Sequence, residues 1–235
     1  MAPAAASTTP SGSRARPGTA ANPPAQDTPG RKRQDRRIRE DGVRSRRMIL
    51  DAAARLATVE GLEGLSIARL ADKAGFSKSG LFAHFGSKEE LQLATIEAAW
   101  EVYGREIIEP ALRENDPVAR LRGLAEGFLT LIGGDVFPGG CFFASATAEF
   151  DTRPGPVLDR LTVLDDEWMR NLSEQVSAAR AEGLFRETVD PEQAAFDINA
   201  FLHLANERYT LHHDATDLDR ARRSINAYLS AAATT

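Results

Sequence analysis

Apolar residues recur at helical spacing along most of this chain. Ile49, Ala52, Ala53 and Leu56 share one face, and Gly61 closes that segment. Ile67, Leu70, Ala71 and Ala74 repeat at i, i+3, i+4 and i+7 behind Ser66, a natural N-cap, and Gly75 ends the short helix. Ser77 predicts the cap of a third helix running through Phe85, with Leu81, Phe82 and Phe85 inward. Ser87-Lys88-Glu89-Glu90 has the form of a capping box, in which Ser87 and Glu90 satisfy each other's amides. A longer fourth helix follows, carrying Leu91, Ala94, Ala98 and Val102.

The same period continues to the end. Asp116-Pro117 and Asp190-Pro191 each put a capping carboxylate before a proline at the first helical position. Val118, Leu121, Ala125, Phe128 and Ile132 form one stripe. Gly139-Gly140 precedes a short, apolar segment over 141–150. A long helix follows from Val157 through Trp168 and Ala179 to its stop at Gly183. Ala194, Ile198, Leu202, Ala205 and Tyr209 mark the next, and Leu218, Ala221, Ile225 and Tyr228 the last. No strand alternation and no repeat is visible, so the predicted fold is all-α, with about nine helices.

Charge divides this pattern into three parts. Residues 1–47 carry a balance of +7, residues 48–91 of −1, and residues 92–235 of −11. Residues 1–30 are almost entirely Ala, Pro, Ser, Thr and Gly, with little to bury, which predicts disorder. Residues 31–47 hold nine Lys or Arg, a basic arm that is either a solubilising tail or a polyanion contact. The expected organisation is a disordered, Ala/Pro-rich and basic N-terminal arm over 1–43, a three-helix unit over 44–91 and a larger helical domain over 92–235. A single cysteine, Cys141, gives neither an internal disulfide nor a cysteine-based zinc site. No apolar run approaches the roughly 20 residues of a membrane span, and no secretory signal is visible, so a cytoplasmic protein is expected.

The stretch 67–85 is the most informative. Ala71 is small where a second helix would cross closely, Gly75 makes the turn, and Leu81 anchors the second helix, which is the spacing of a helix-turn-helix. That geometry leaves the start of the second helix, Phe76, Ser77, Lys78, Ser79 and Gly80, free to enter a major groove. A helical hairpin without DNA function shares this spacing.

Here the chain resembles a known family. Arg47-Met48-Ile49-Leu50-Asp51-Ala52-Ala53, then Gly61, Ser66-Ile67, Leu70-Ala71, Ala74-Gly75-Phe76-Ser77-Lys78, Leu81-Phe82 and Phe85 with Ser87-Lys88-Glu89-Glu90-Leu91 are similar to the DNA-binding domain of the tetracycline-repressor (TetR) family. The resemblance covers about residues 44–95, and the acidic helical remainder has the size of the family's ligand-binding and dimerisation domain. It implies a homodimeric, ligand-responsive transcriptional regulator, usually a repressor, on a near-palindromic double-stranded DNA operator. Neither enzymatic activity nor a cofactor or metal is implied.

The resemblance also implies roles for particular residues. Ser66, Ser77, Lys78 and Lys88 would meet phosphates or base edges. Apart from the resemblance, the five basic residues of 48–91 are few for a polyanion, so the arm Arg31–Arg47, with Arg44, Arg46 and Arg47 nearest the helices, is expected to add phosphate or minor-groove contact. The recognition helix departs from the family's usual pattern: Ser79, Gly80, Phe82 and His84 stand where other residues are common. Gly80 has no side chain to offer a base, Phe82 is expected to pack, and His84 can still donate to a phosphate.

The aromatic residues of the body, Trp100, Tyr103, Phe128, Phe137, Phe142, Phe143 and Trp168, together with Cys141, are either core or the wall of a small-molecule site. Cys141 has no cation nearby in sequence, which favours an inert buried thiol over a redox sensor. His203, His212 and His213 lack a metal-ligand spacing. Phe201, Leu202, Ala205, Tyr209, Ile225, Tyr228 and Leu229 on the last two helices are the expected dimer interface, although the same pattern fits packing within one chain. The expected mechanism has a ligand shifting the fourth helix and with it the reading heads. An activator would use the same parts. An enzyme built around Cys141 and a histidine, or a plain helical interaction module, are the rivals from other classes.

Overall fold

The structure, a computed structural model, describes residues 29–75 and 77–234, with side chains described from Glu40 on, Ala74, Phe82 and Ala83 excepted. The expected disorder of 1–28, the placement of Phe76 and the packing of Phe82 therefore lie outside the described residues. The chain divides into two compact units, residues 1–40 and 41–235. The described part of the first is helical backbone; the second holds the rest of the fold.

Among the described residues ten α-helices follow one another: α1 (Pro29–Glu60), α2 (Ile67–Ala74), α3 (Lys78–His84), α4 (Lys88–Tyr103), α5 (Glu109–Leu112), α6 (Pro117–Gly133), α7 (Phe142–Phe150), α8 (Pro156–Ala181), α9 (Pro191–His212) and α10 (Ala215–Ala232). A π-helical turn over Gly104–Ile108 joins α4 to α5 without a break, so the two form one rod. Among the described residues the only extended pairing is the isolated bridge between Phe185 and Ala233. None of these helices is long and apolar enough to cross a membrane, among the described residues.

α1 begins at Pro29, so the backbone over 29–43, expected as part of a disordered basic arm, is helical. Local propensity accounts for this: from Arg31 to Asp41 the chain has no Gly or Pro and is rich in Arg, Lys, Gln and Glu, all good helix formers.

The predicted caps are in place. Ser66, Ser77 and Ser87 accept from the amides of Arg69, Gly80 and Glu90 at 3.2, 3.1 and 3.0 Å. Asp116 and Asp190 cap α6 and α9 ahead of their prolines. One detail differs: the Glu90 carboxylate accepts from the Gly86 amide at 2.9 Å, one residue before the cap.

The core is continuous from the small N-terminal helices into the body. Ile49 and Ala53 of α1, Leu70 and Ala71 of α2, Leu81 of α3 and Phe85 are all buried. In the body α8 packs on α4, α6, α7 and α9, and α10 packs on α6 and α9. Asp217 near the start of α10 is enclosed and paired with Arg208 of α9 at 3.1 Å and with Arg220 of its own helix.

Candidate functional site

The first candidate surface is the helix pair α2–α3. Ser66 starts α2 and Gly75 ends it at φ +72, a left-handed conformation that a side chain strains to adopt. Ala71, buried at the crossing, and Leu81, buried on α3, hold the pair together as the spacing required. Ser77, Lys78, Ser79 and Gly80 at the start of α3 are all exposed. Ser66 is also exposed, and its hydroxyl already accepts one amide while keeping donor capacity.

The expected cations divide into three kinds. Arg44 and Arg47 of α1 and Lys78 of α3 point outward. Arg46 turns inward: its guanidinium donates to the His84 carbonyl at 2.7 Å and lies 4.4 Å from the centre of the Phe85 ring. It clamps α1 to the end of α3, so its first task is positioning rather than contact. Lys88 is paired with Glu63 at 2.8 Å, which keeps α4 against the loop between α1 and α2. The His84 side chain is half-buried beside Phe85. The spacing of a motif along one helix carries no sign of such long-range partners, which is why Arg46 reads as a surface cation in the sequence.

Three body elements grip this unit. Gln92 of α4, itself buried, donates to the Leu62 carbonyl at 3.1 Å and to the Glu63 carboxylate at 3.3 Å. Glu149 of α7 accepts from the Leu62 and Glu63 amides at 3.1 and 2.8 Å. Arg55 of α1 donates to the carbonyls of Asp135 and Val136, and Thr58 receives the Gly139 amide at 3.1 Å. The Lys88 hydrogen bond holds the Glu63 carboxyl below its ordinary range, helped by Gln92 and by Arg153 nearby.

The second candidate is a cavity of about 370 Å³, open to solvent on one side and walled by α4, α6, α7, α8 and α9. Trp100, Tyr103, Phe128, Phe143, Trp168 and Cys141, expected there, do line it. Phe137 and Phe142, also expected, do not: both are fully buried and stack behind the wall, with ring centres 6.1 Å apart. Their apolar character fits wall and core equally, and only the packing separates the two roles. The rings of the lining cross edge to face, Tyr103 on Phe143 at 4.9 Å and Trp100 on Phe143 at 5.6 Å.

The sequence reading missed the polar part of this wall. Thr147, Thr162, Asp165 and His203 face the cavity. On α8 Asp165 shares a side with Leu161, Leu172 and Trp168, so a carboxylate on an apolar face was the available signal. All four are exposed, so this polar side of the cavity opens to solvent, yet the surrounding protein still perturbs Asp165 and His203. Burial raises the Asp165 carboxyl although His203 opposes it, and burial lowers the His203 imidazole although Asp165 opposes that. Cys141 caps α7, and its sulfur lies 2.9 Å from the Tyr103 hydroxyl. Burial pushes both the thiol and the phenol up, so Cys141 has the character of an inert thiol and not of a nucleophile. Among the described residues no cluster of His, Cys, Asp or Glu could hold a metal ion.

The expected dimer residues are mostly consumed within the chain. Leu202, Ala205, Ile225 and Leu229 are buried in the core, while Phe201, Tyr209 and Tyr228 are half-buried against it. The large apolar residues left outward on α9 are Phe196, Leu204 and Leu211, exposed by 63, 55 and 67%.

Comparison with known proteins bears on both candidates. Residues 49–95 match the model for bacterial regulatory proteins of the tetR family, and residues 117–225 match that for the tetracyclin repressor-like C-terminal domain. The chain is similar to the HTH-type transcriptional repressor AcnR of Corynebacterium efficiens, 38% identical over 84 residues, 36% of this chain and 42% of that protein. AcnR of Corynebacterium glutamicum is 38% identical over 82 residues, 35% of this chain and 41% of that one. The matched stretch thus spans under half the length of these curated relatives.

Among solved structures, a TetR transcriptional regulator from Chloroflexus aurantiacus superposes with a TM-score of 0.75 at 26% identity, over 81% of this chain and 96% of that one. AibR, solved with isovaleryl coenzyme A and operator DNA, shares the fold at a TM-score of 0.62 and 24% identity, over 77% of this chain and 96% of that one. Matched at its helix-turn-helix and separately through its helical body, and sharing the fold over most of its length, the chain belongs to the TetR family of bacterial regulatory proteins.

Proposed function

We propose that the protein is a dimeric, ligand-responsive repressor acting in the cytoplasm on a near-palindromic DNA operator. The observation that carries this reading is the outward start of α3: Ser77, Lys78, Ser79 and Gly80 are exposed on a helix whose other face is locked into the core by Leu81. Such a helix enters a major groove with its N-terminal residues against base edges, while Ser66, Arg44, Arg47 and the amides at helix starts meet phosphates. The repressor character of the AcnR relatives and the operator complex of AibR support the same direction.

The dimer surface is the outward stripe of α9, Phe196, Leu204 and Leu211, together with the half-buried Phe201 and Tyr228 beside it. Two such stripes bury each other about a two-fold axis and set the distance between two reading heads. A palindromic site follows from that symmetry.

The effector binds in the aromatic cavity, the apolar recess with a few polar groups that small-molecule sites commonly take; AibR, which shares the fold, was solved with a small molecule, isovaleryl coenzyme A, and with operator DNA. Two helices touch both the cavity and the reading head. α4 lines the cavity with Trp100 and Tyr103 and grips the α1–α2 loop with Gln92 and Lys88. α7 lines it with Phe143, Ala144, Thr147 and Ala148, and grips the same loop with Glu149. A ligand that binds two settings of these helices unequally shifts the reading heads, with coupling of about 1–3 kcal/mol in typical cases. No catalytic step enters this scheme.

Selection of bound duplexes from a random pool tests the reading. A recovered palindrome is the expected result; absence of enrichment at low salt removes it.

A further inference from the structure

We infer that the effector accepted by this cavity is a lipophilic cation, an amine or quaternary ammonium carrying an aromatic or bulky apolar body, with Asp165 as its counter-ion. The inference rests on the cavity being the effector site, as proposed above, and adds the chemical class of the effector.

The charge inventory of the wall carries it. Among the lining residues there is one carboxylate, Asp165, and neither lysine nor arginine. An anionic ligand finds no permanent cation in the apolar depth to replace its hydration, and at the open, polar side it meets the Asp165 carboxylate. A cation meets the reverse situation. Asp165 lies in the wall with Trp168 on its own helix and with Trp100, Tyr103, Phe128 and Phe143 around the same space. Aromatic faces carry negative quadrupolar potential, which attracts a cation, and the area of these five rings takes up its apolar body.

The neighbours of Asp165 act in the same sense. Asp166 adds a second negative charge close by, and the Asp165 carboxyl is raised by desolvation and by that charge. A carboxylate in this state gains more from an incoming cation than a fully hydrated one does. His203 is the one group of opposite character facing it. Burial lowers the imidazole, which favours its neutral form at neutral pH and leaves Asp165 without a full internal partner. The volume of about 370 Å³ suits a small aromatic molecule.

The chain has two tryptophans, Trp100 and Trp168, and both line the cavity, so selectively excited tryptophan fluorescence reports on this site. The full-length protein is titrated with benzyltrimethylammonium, with its uncharged isostere neopentylbenzene, and with 4-phenylbutyrate. The expected result is saturable binding of the cation at least tenfold tighter than of the isostere, with the anion weakest. Asp165→Asn should abolish that tenfold preference while leaving the affinity for neopentylbenzene unchanged, which also shows that the cavity has kept its shape. Equal or tighter binding of the neutral or anionic probe, a preference that survives Asp165→Asn, or no binding of any probe overturns the inference. Each of these leaves the proposed regulator untouched if duplex selection still recovers a palindrome. A random pool without enrichment, with cation binding intact, would instead remove the regulator and keep the cation site.

Discussion

The Gly139 amide donates to the Thr58 hydroxyl at 3.1 Å, and a Cβ on Gly139 would stand only 1.7 Å from the Thr58 carbonyl oxygen. Two backbones, one from α1 and one from the loop before the cavity wall, thus meet with no room for a side chain. Cys141, two residues further on, already lines the cavity. This seam is one of three places where the body holds the reading head.

Gly139→Ala must push α1 and the loop apart, because the obstacle is backbone that has no rotamer to change. We expect a destabilisation of about 1–3 kcal/mol, the usual range for overpacking, read as a lowered urea midpoint with an unchanged slope. An unchanged midpoint would mean that the seam opens freely in solution.

Arg46 and Lys78 are both cations of the reading head, yet they should respond differently. Lys78→Ala removes an exposed charge at the start of α3, and the salt dependence of operator binding should weaken by about 0.9 in slope for each phosphate no longer neutralised. Arg46→Leu removes the clamp on His84 and Phe85. It should lower affinity and thermal stability together, with the slope nearly unchanged. A slope shift in Arg46→Leu equal to that of Lys78→Ala would make Arg46 a phosphate ligand after all.

Glu149→Ala leaves the amides of Leu62 and Glu63 without their shared acceptor. Loss of a partner for such groups costs about 1–3 kcal/mol when water cannot replace it. These amides lie partly open, so the lower end is expected in thermal unfolding. If α7 carries the effector signal, this variant should also bind operator but respond less to effector. A full response in a release assay would assign the signal to α4 alone.

The pairing of Glu63 with Lys88 sets a pH dependence. The folded carboxyl is held below its unfolded value of about 4.3. Its contribution is therefore fully present above that value and is lost as pH falls through the lower, folded one. Acid unfolding of Glu63→Gln should show a shallower fall in stability across that window than the unmodified chain. Parallel acid limbs would place the pairing in the unfolded chain as well.

Leu204→Glu and Leu211→Glu put charge on exposed positions of α9 and disturb no core packing. Each should convert a dimer into a monomer in sedimentation equilibrium and abolish tight operator binding, while helix content stays constant. Dimers that persist in both variants would move the interface to another face.

Local structure was legible in the sequence because its causes are local. Ser66, Ser77 and Ser87 cap α2, α3 and α4, and the prolines after Asp116 and Asp190 open α6 and α9, as their types and spacing indicated. The helix-turn-helix was legible for the same reason, since Ala71, Gly75 and Leu81 are each required by a geometry contained within a few residues. The extent of α1 toward the N-terminus was underread, because a polar helix has no apolar stripe to announce it.

What tertiary structure decided is which partner each side chain has. Periodicity identifies an apolar face but not what covers it, so Leu202 and Ile225 read as interface and are core, whereas Leu204 and Leu211 lie outward. An aromatic residue in sequence is equally a wall or a layer behind it, and only packing put Phe143 on the cavity and Phe142 behind. Arg46 turned inward, and Asp165 and His203 came to face one space from two helices, because interactions between residues far apart in the chain leave no trace in local spacing. The sequence alone determined the helices, their ends and the reading head; the packing of those helices determined the cavity, its single carboxylate and the surfaces that remain open.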